Sequence, residues 1–244
     1  MEIKAFYSET SNGPYLALNE DAVITDIPNS LFGVVDGFGG VGIGDKAADV
    51  VVDSIVKLSL RIGHDENATM PFYFSEQALL ETNAVVNSLY FAQAELKKVF
   101  VDKDLSQRGG ASVLVGIASE NNFITVSVGN CRAYLVRNSR IVEINIPDIL
   151  DANFSFREKQ MRTFPVNALG LYENFSFSVN EVHIQEGDCF LLMTDGCYSS
   201  IDIKDLKSIL LDTKLMLNEM AEKIFSLANQ QGNFDNQSLV LVQY

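Results

Sequence analysis

Residues 31–40 read LFGVVDGFGG, an apolar run that ends in one carboxylate, Asp36, set among glycines. A continuous apolar run of this length is typical of a buried strand, so the sequence predicts a strand over 31–36 with Asp36 at its end. An Asp-Gly pair is also among the commonest turn dipeptides, and a single such pair would be interpreted as a turn. The interpretation of Asp36 therefore depends on whether the pattern recurs.

The same pattern occurs at three further places in the chain. An apolar run over 190–193 is followed by Asp195, and Asp235 comes just before the closing apolar segment. Glu20 and Asp21 adjoin a further predicted strand. If these carboxylates converge, their repulsion must be neutralised, and hard divalent cations are the usual means. Ligands that are oxygen only favour Mg²⁺ or Mn²⁺ over zinc or copper.

A pair of such ions has a definite chemistry. Two ions that share a bridging carboxylate at roughly 3.5–4 Å can activate a water and hold a phosphoryl oxygen, which is metal-assisted phosphate ester hydrolysis. This chemistry needs no protein nucleophile, and it suits a chain whose two histidines, His64 and His183, are interpreted as ordinary surface or strand-edge residues. Three cysteines without CxxC spacing indicate neither a disulfide framework nor a zinc site.

Strand and helix signals alternate in blocks along the chain. Apolar, β-branched and aromatic runs predict strands, and three- to four-residue apolar spacing predicts helices. The predicted strands are 14–18, 22–27, 31–36, 111–119, 122–129, 132–137, 140–145, 177–184, 188–194 and 238–244, and the predicted helices are 45–62, 75–101, 203–210 and 214–230. Hairpin tips are predicted at Glu120-Asn121-Asn122 and Asn138-Ser139. Hairpins imply antiparallel pairing, so we expect one α+β domain over 1–244, a central β-sandwich of two antiparallel sheets flanked by helices.

Composition limits the class of partner. The chain has 244 residues with 47% hydrophobic and 20% charged residues, which is enough apolar material for a sizeable core. Its formal net charge of −14 makes nucleic acid and membrane surfaces poor partners, and cations or basic protein segments better ones. Neither a signal-peptide pattern nor an apolar run of membrane-spanning length is present, so a cytoplasmic monomer is expected.

The ordered motifs resemble those of the PP2C-type, metal-dependent protein serine/threonine phosphatases. The resemblance extends from about residue 8 to residue 244. Its blocks, in the family's order, are Gly13 with Asn19-Glu20-Asp21-Ala22, Val35-Asp36-Gly37-Phe38-Gly39-Gly40, Gly109-Gly110-Ala111-Ser112, Val128-Gly129-Asn130-Cys131-Arg132-Ala133-Tyr134, Ala168-Leu169-Gly170, Leu191-Leu192-Met193-Thr194-Asp195-Gly196 and Asp235-Asn236-Gln237-Ser238.

The resemblance implies a role for each matching residue. Asp36 would bridge two Mg²⁺ or Mn²⁺ ions, and Gly37 would lend its carbonyl to one of them. Asp195 and Asp235 would bind the other ion, while Glu20 and Asp21 would hold metal-bound waters. Asn236 is expected only to support them. The implied reaction is hydrolysis of phosphoserine or phosphothreonine in a phosphoprotein, the product of a serine/threonine kinase, and hence a role in signal transduction.

Three substrate-handling positions depart from the family pattern. Leu16 stands where the family usually has an arginine that grips the phosphate, and leucine cannot replace those paired hydrogen bonds. Phe38 stands where the family has a histidine that looks like the general acid, and phenylalanine cannot donate a proton. Asn130 replaces an aspartate associated with a third metal, whose occupancy should drop.

Two other interpretations remain open from the sequence. Leu16, Phe38 and Asn130 would fit a catalytically weak or inactive pseudophosphatase that binds phosphoproteins or a signalling partner as a scaffold. A plain β-sandwich whose Asp-Gly pairs are only turns is the third.

Overall fold

The computed structural model describes residues 1–39, 42–63, 69–101, 103–104, 107–151 and 163–244. Gly40 and His64 therefore lie outside the described residues. The strands are β1 Ala5–Ser11, β2 Asp21–Asp26, β3 Leu31–Phe38, β4 Gly110–Ser119, β5 Asn122–Val128, β6 Arg132–Arg137, β7 Arg140–Glu143, β8 Ile149–Asp151, β9 Thr163–Pro165, β10 Ser178–His183, β11 Cys189–Met193 and β12 Gln237–Gln243. The helices are α1 Gly44–Gly63, α2 Leu80–Val99, α3 Asp195–Tyr198, α4 Ile203–Leu210 and α5 Leu217–Gln230.

Two five-stranded sheets form the centre of the molecule. The first sheet has the order β1-β12-β11-β6-β7, and the second sheet has the order β10-β5-β4-β3-β2. Neighbouring strands in both sheets are antiparallel. The predicted pair of antiparallel sheets is thus confirmed. β8 and β9 form a separate two-stranded hairpin.

Strand β3 shows why its sequence is a continuous apolar run. Phe32 and Val34 face the first sheet and belong to the core between the two sheets. Leu31 and Val35 face the other way and pack in a core with α1 and α2. Because both faces of β3 are covered, the usual alternation of apolar and polar residues is absent.

Helices cover the outer face of each sheet. α1 and α2 pack on the second sheet. α3, α4 and α5 pack on the first sheet through a third apolar cluster that includes Leu206, Ile224 and Leu241. The order of layers is therefore helices, sheet, sheet, helices, which confirms the predicted α+β class. No helix in the described ranges is long and apolar enough to cross a membrane.

The structure differs from the sequence prediction at several elements. The predicted strand 14–18 is wrong: these residues form turns and bends, and the Asn12 side chain closes the loop by donating to the carbonyl of Ala17 at 3.0 Å. Strand β1 was not predicted because its sequence, AFYSETS, is mostly polar. Helix α2 begins at Leu80 and not at residue 75, because residues 75–79 are held in a turn by the buried Asn83 side chain.

Both predicted hairpin tips are found, one of them a residue shorter than expected. Asn138 and Ser139 have φ angles of 51° and 57°. Two successive left-handed residues between paired Arg137 and Arg140 are typical of a type I′ turn. At the other tip, Asn122 already belongs to β5 and pairs with Ser119.

Candidate metal centre

Two of the predicted carboxylates lie opposite each other in the second sheet. Asp21 in β2 is the direct partner of Asp36 in β3. Val23, two residues after Asp21, is the partner of Val34, two residues before Asp36. Both valines pack in the core between the sheets. Since side chains alternate along a strand, Asp21 and Asp36 also face the space between the sheets. They lie at its end, beyond the last apolar pair.

The first sheet brings two more carboxylates to the same end. Asp195 is the first residue of α3, separated from β11 by Thr194 alone, and Asp235 comes two residues before β12. The backbone N–H of Thr194 donates to the carbonyl of Ser238 at 3.0 Å, which continues the pairing of these strands. Gly196 is required here, because a Cβ at this position would lie 1.8 Å from the carbonyl oxygen of Asn236.

Each of these aspartates accepts hydrogen bonds from neighbouring side chains or backbone. The Thr194 hydroxyl donates to Asp21 Oδ2 at 2.8 Å. The Asn130 amide donates to Asp195 Oδ2 at 3.0 Å. Asp235 Oδ1 accepts from the backbone N–H of Asn236 at 2.9 Å. These donors hold the carboxylates in place but are neutral, so they leave the negative charge uncompensated.

The environment favours the protonated form of two of these carboxyls. Burial, followed by the negative charges of the other three aspartates, holds the pKa of Asp36 well above its usual range, while a hydrogen bond from Asn130 lowers it. Burial also raises the pKa of Asp21 to about 8, although hydrogen bonds from Thr194 and Ser238 lower it. The negative charges therefore lie close enough to repel one another, and a positive charge placed among them would reverse both shifts.

The described part of the chain supplies no such positive charge to Asp21, Asp36 or Asp235. Among the described residues, none of the ion pairs includes Asp21, Asp36 or Asp235. Nor do any three His, Cys, Asp or Glu side chains of the described residues lie close enough together to form a metal cluster as they stand. The oxygen-only donor set and its uncompensated charge fit Mg²⁺ or Mn²⁺.

Glu20 and Gly37 lie at the junction with α1. Glu20 Oε1 accepts from the backbone N–H of Gly44, the first residue of α1, at 3.2 Å. The Glu20 carbonyl accepts from the N–H of Gly37 at 3.0 Å. Burial raises the pKa of Glu20, and the charges of Asp45 and Asp235 add to the rise. A Cβ on Gly37 would lie 2.2 Å from the carbonyl of Gly44, so only glycine fits.

Sequence reasoning missed the donors that position the carboxylates. Thr194 and Ser238 are fully buried and lie on the same strand faces as the apolar core residues Leu192 and Val240. The alternation of side chains along β11 and β12 could have identified these two donors. On the face of each strand that carries the apolar core residues, the position next to the last apolar residue is a hydroxyl. Asn130 was considered only for a third metal, although its amide contacts Asp195.

Asn236 has a larger role than the sequence suggested. Its side chain is buried, and its Oδ1 accepts from the backbone N–H of Glu20 at 2.8 Å. Its amide donates to the carbonyls of Asn12 and Leu18, both at 3.0 Å. One side chain thus ties the loop before β2 to the loop before β12.

The structure also shows where the residues that depart from the family pattern lie. Leu16 is exposed, and Phe38 packs against Gly110, where a Cβ would lie 2.6 Å from its ring. Arg132, a basic residue near the site in sequence, stacks on the ring of Tyr198 at 4.5 Å on the outer side of the first sheet. The other such basic residue, Lys46, lies exposed in the first turn of α1.

Comparison with known proteins agrees with this architecture. No protein-family model matches the chain. Solved structures of PP2C-type phosphatases nevertheless share its fold, and the resemblance to that class predicted from the sequence is confirmed.

Particular relatives show the extent of the likeness. Serine/threonine phosphatase stp of Listeria monocytogenes is 24% identical over 221 residues, which are 86% of this chain and 82% of that protein. The structure of PppA, a key regulatory component of T6SS in Pseudomonas aeruginosa, has a TM-score of 0.78 at 21% identity, over 98% of this chain and 96% of that one. The catalytic domain of serine threonine protein phosphatase PstP in complex with two manganese ions has a TM-score of 0.75 at 19% identity, over 98% and 97% of the two chains.

Proposed function

We propose that this protein is a metal-dependent protein phosphatase that hydrolyses phosphoserine and phosphothreonine. The observation that carries the proposal is the meeting of Asp21, Asp36, Asp195 and Asp235 at one end of the sandwich. Buried like charges of this kind are expected to bind cations. The named phosphatase relatives support the reaction class.

The residues that would hold two Mg²⁺ or Mn²⁺ ions are the ones the sequence predicts. The charges of Asp21, Asp195 and Asp235 all act on Asp36, so Asp36 would be the ligand shared by both ions, with Asp195 and Asp235 as further ligands. Glu20, Asp21 and the carbonyl of Gly37 complete the oxygen set. When bound, such ions activate water and neutralise the charge on the phosphoryl group.

The protein's own groups have supporting tasks. Thr194 and Asn130 orient Asp21 and Asp195 through their hydrogen bonds. Phe38 is the last residue of β3, two residues after Asp36, and has no proton to give, so solvent protonates the leaving alkoxide. The acidic surface attracts a basic stretch of a phosphoprotein, the product of a serine/threonine kinase.

Phosphate release tests the proposal. The wild-type protein is incubated with p-nitrophenyl phosphate or a phosphothreonine peptide, with Mn²⁺ or with EDTA, beside Asp36→Asn and Asp195→Asn. We expect Mn²⁺-dependent release that falls on the order of 100-fold or more in both variants, because each loses a charged ligand. Asp53→Asn, in an exposed ion pair on α1, is the matched control and keeps wild-type rates. Wild-type release no faster than that of the two site variants would instead favour a non-catalytic phosphoprotein-binding scaffold.

A further inference from the structure

Two aromatic side chains stand exposed beside the candidate metal centre. The rings of Tyr15 and Phe234 stack with their centroids 5.3 Å apart. Even so, 69% of Tyr15 and 52% of Phe234 remain exposed to solvent. Tyr15 lies in the loop that leads to Glu20, and Phe234 directly precedes Asp235. The two rings, here called the aromatic pair, therefore form an apolar surface at the rim of the site.

The loops that carry the aromatic pair are firmly held. Asn236 bonds the backbone of the first loop at Asn12 and Leu18. Gly13 has a φ of +70°, and a Cβ there would lie 2.1 Å from the carbonyl of Asp235, so the two loops touch backbone to backbone. A ligand that binds the aromatic pair would have little loop motion to arrest, and this lowers the entropic cost of binding.

The two chain segments that carry the aromatic pair are acidic. Residues 5–45 contain six Asp and Glu residues and no Lys, Arg or His, and residues 224–244 contain Asp235 and no Lys, Arg or His. Both loops belong to these two segments. The charge of any segment that docks here is therefore expected to be positive.

A guanidinium matches both properties of this surface. Its plane stacks on aromatic faces, and its N–H groups pair with neighbouring carboxylates. A lysine ammonium carries the same charge, but it is more strongly hydrated and lacks the flat face. An uncharged apolar side chain would use the rings but not the carboxylates.

We propose that the aromatic pair binds an arginine of the phosphoprotein substrate, close in sequence to its phosphoresidue. The proposal rests on the proposed function, because Phe234 is the neighbour of the expected ligand Asp235. Phe234 directly precedes Asp235 and an extended peptide advances about 3.3 Å per residue, so we expect the arginine within a few residues of the phosphoresidue. The aromatic pair thus sets which phosphosites the protein prefers.

Matched phosphothreonine peptides test this preference. Three peptide series carry one arginine, lysine or alanine at positions two to four residues from the phosphothreonine, on either side. The wild-type kcat/KM for the best arginine peptide is expected to exceed that of its alanine counterpart about fivefold, mainly through KM, with lysine between them. Tyr15→Ala and Phe234→Ala should each lower this ratio. Phe72→Ala removes an equally exposed stacked ring on the α2 side and should preserve it.

Three results would overturn the proposal. The first is an equal wild-type kcat/KM for all peptides, and the second is an arginine preference that survives in Tyr15→Ala and Phe234→Ala. The third is that both variants lose as much activity on p-nitrophenyl phosphate, which has no arginine, as on the arginine peptide. Failure of the proposed function is seen separately, as no Mn²⁺-dependent release from any substrate. In that case calorimetric binding of the same peptides to the wild type and both variants decides whether the aromatic pair holds arginine.

Discussion

The two ends of strand β11 handle buried negative charge in opposite ways. Asp188 precedes the strand and is fully buried. Arg137 donates to it twice, from Nε at 2.7 Å and from Nη2 at 2.6 Å. The backbone N–H of Gln185 adds a third hydrogen bond at 2.7 Å. At this end the chain itself supplies the compensating charge.

The other end of β11 gathers more charge with less compensation. Asp195 follows the strand and lies near Asp21, Asp36 and Asp235, whose donors are neutral hydroxyl, amide and backbone groups. A fold that pairs one buried aspartate with a bidentate arginine is able to pair others. The difference supports the proposal that bound cations supply the compensating charge at the second end.

The largest effect on stability is expected from breaking the paired end. Arg137→Ala leaves Asp188 buried without its cation and should lower the free energy of unfolding by about 3 kcal/mol. Urea unfolding with Mn²⁺ present measures the change. Lys57→Ala, which breaks the exposed Lys57–Asp53 pair on α1, is the control and should cost less than about 0.5 kcal/mol. Equal effects of the two substitutions would remove the contrast between the ends.

Arg137→Ala has the largest effect expected of a single substitution, and a separate effect of pH is expected at the end of β11 that carries Asp195. The folded state raises the pKa of Asp21 to about 8, against an ordinary value of 3.8, so between these values it holds a proton that the unfolded chain releases. The stability of the metal-free protein should therefore fall as pH rises from about 4 to about 8, and the raised pKa of Asp36 acts in the same direction.

Thermal unfolding in EDTA at pH 5, 6.5 and 8 checks this dependence. Asp21→Asn should flatten it, and saturating Mn²⁺ should weaken or reverse it, because a bound cation favours the ionised carboxylate. A metal-free stability that increases over this pH range in the wild type, but not in Asp21→Asn, would contradict the expected pKa shift.

The smallest effect is expected from adding one more carboxylate at the end of β11 that carries Asp195. Asn130→Asp replaces the amide that donates to Asp195 with another acid. In EDTA at pH 7 it should lower the free energy of unfolding by about 1 kcal/mol, since the new carboxyl takes up a proton and does not stay charged. Excess Mn²⁺ should recover the loss. A loss that Mn²⁺ leaves unchanged would show that the amide acts only through packing.

The sequence predicts the sheets well because their burial leaves a strong pattern. β3, β4 and β12 are covered on both faces, and their apolar runs were found to within two residues. β1 is a partly exposed edge strand with a polar sequence, and its position depends on β12 more than two hundred residues away. A single-sequence pattern carries no information about that partner.

The candidate site was predictable in its acids and not in its donors. Asp36, Asp195 and Asp235 each follow or precede an apolar run, and this repeated context indicated convergence. The hydrogen bond from the backbone N–H of Glu20 to Asn236 joins residues 216 positions apart and has no local signature. Arg137 and Asp188 are likewise 51 positions apart, and each alone is an ordinary charged residue.

In the described part of the chain, β2 is the edge strand of the second sheet, with β3 as its neighbour. Fraying of this outermost strand would carry Asp21 away while Asp36 stays paired with β4. A cation bound by both acids would hold β2 against β3 at this end of the sheet. Loss of the ion and peeling of the strand are then one coupled event, in which each makes the other easier.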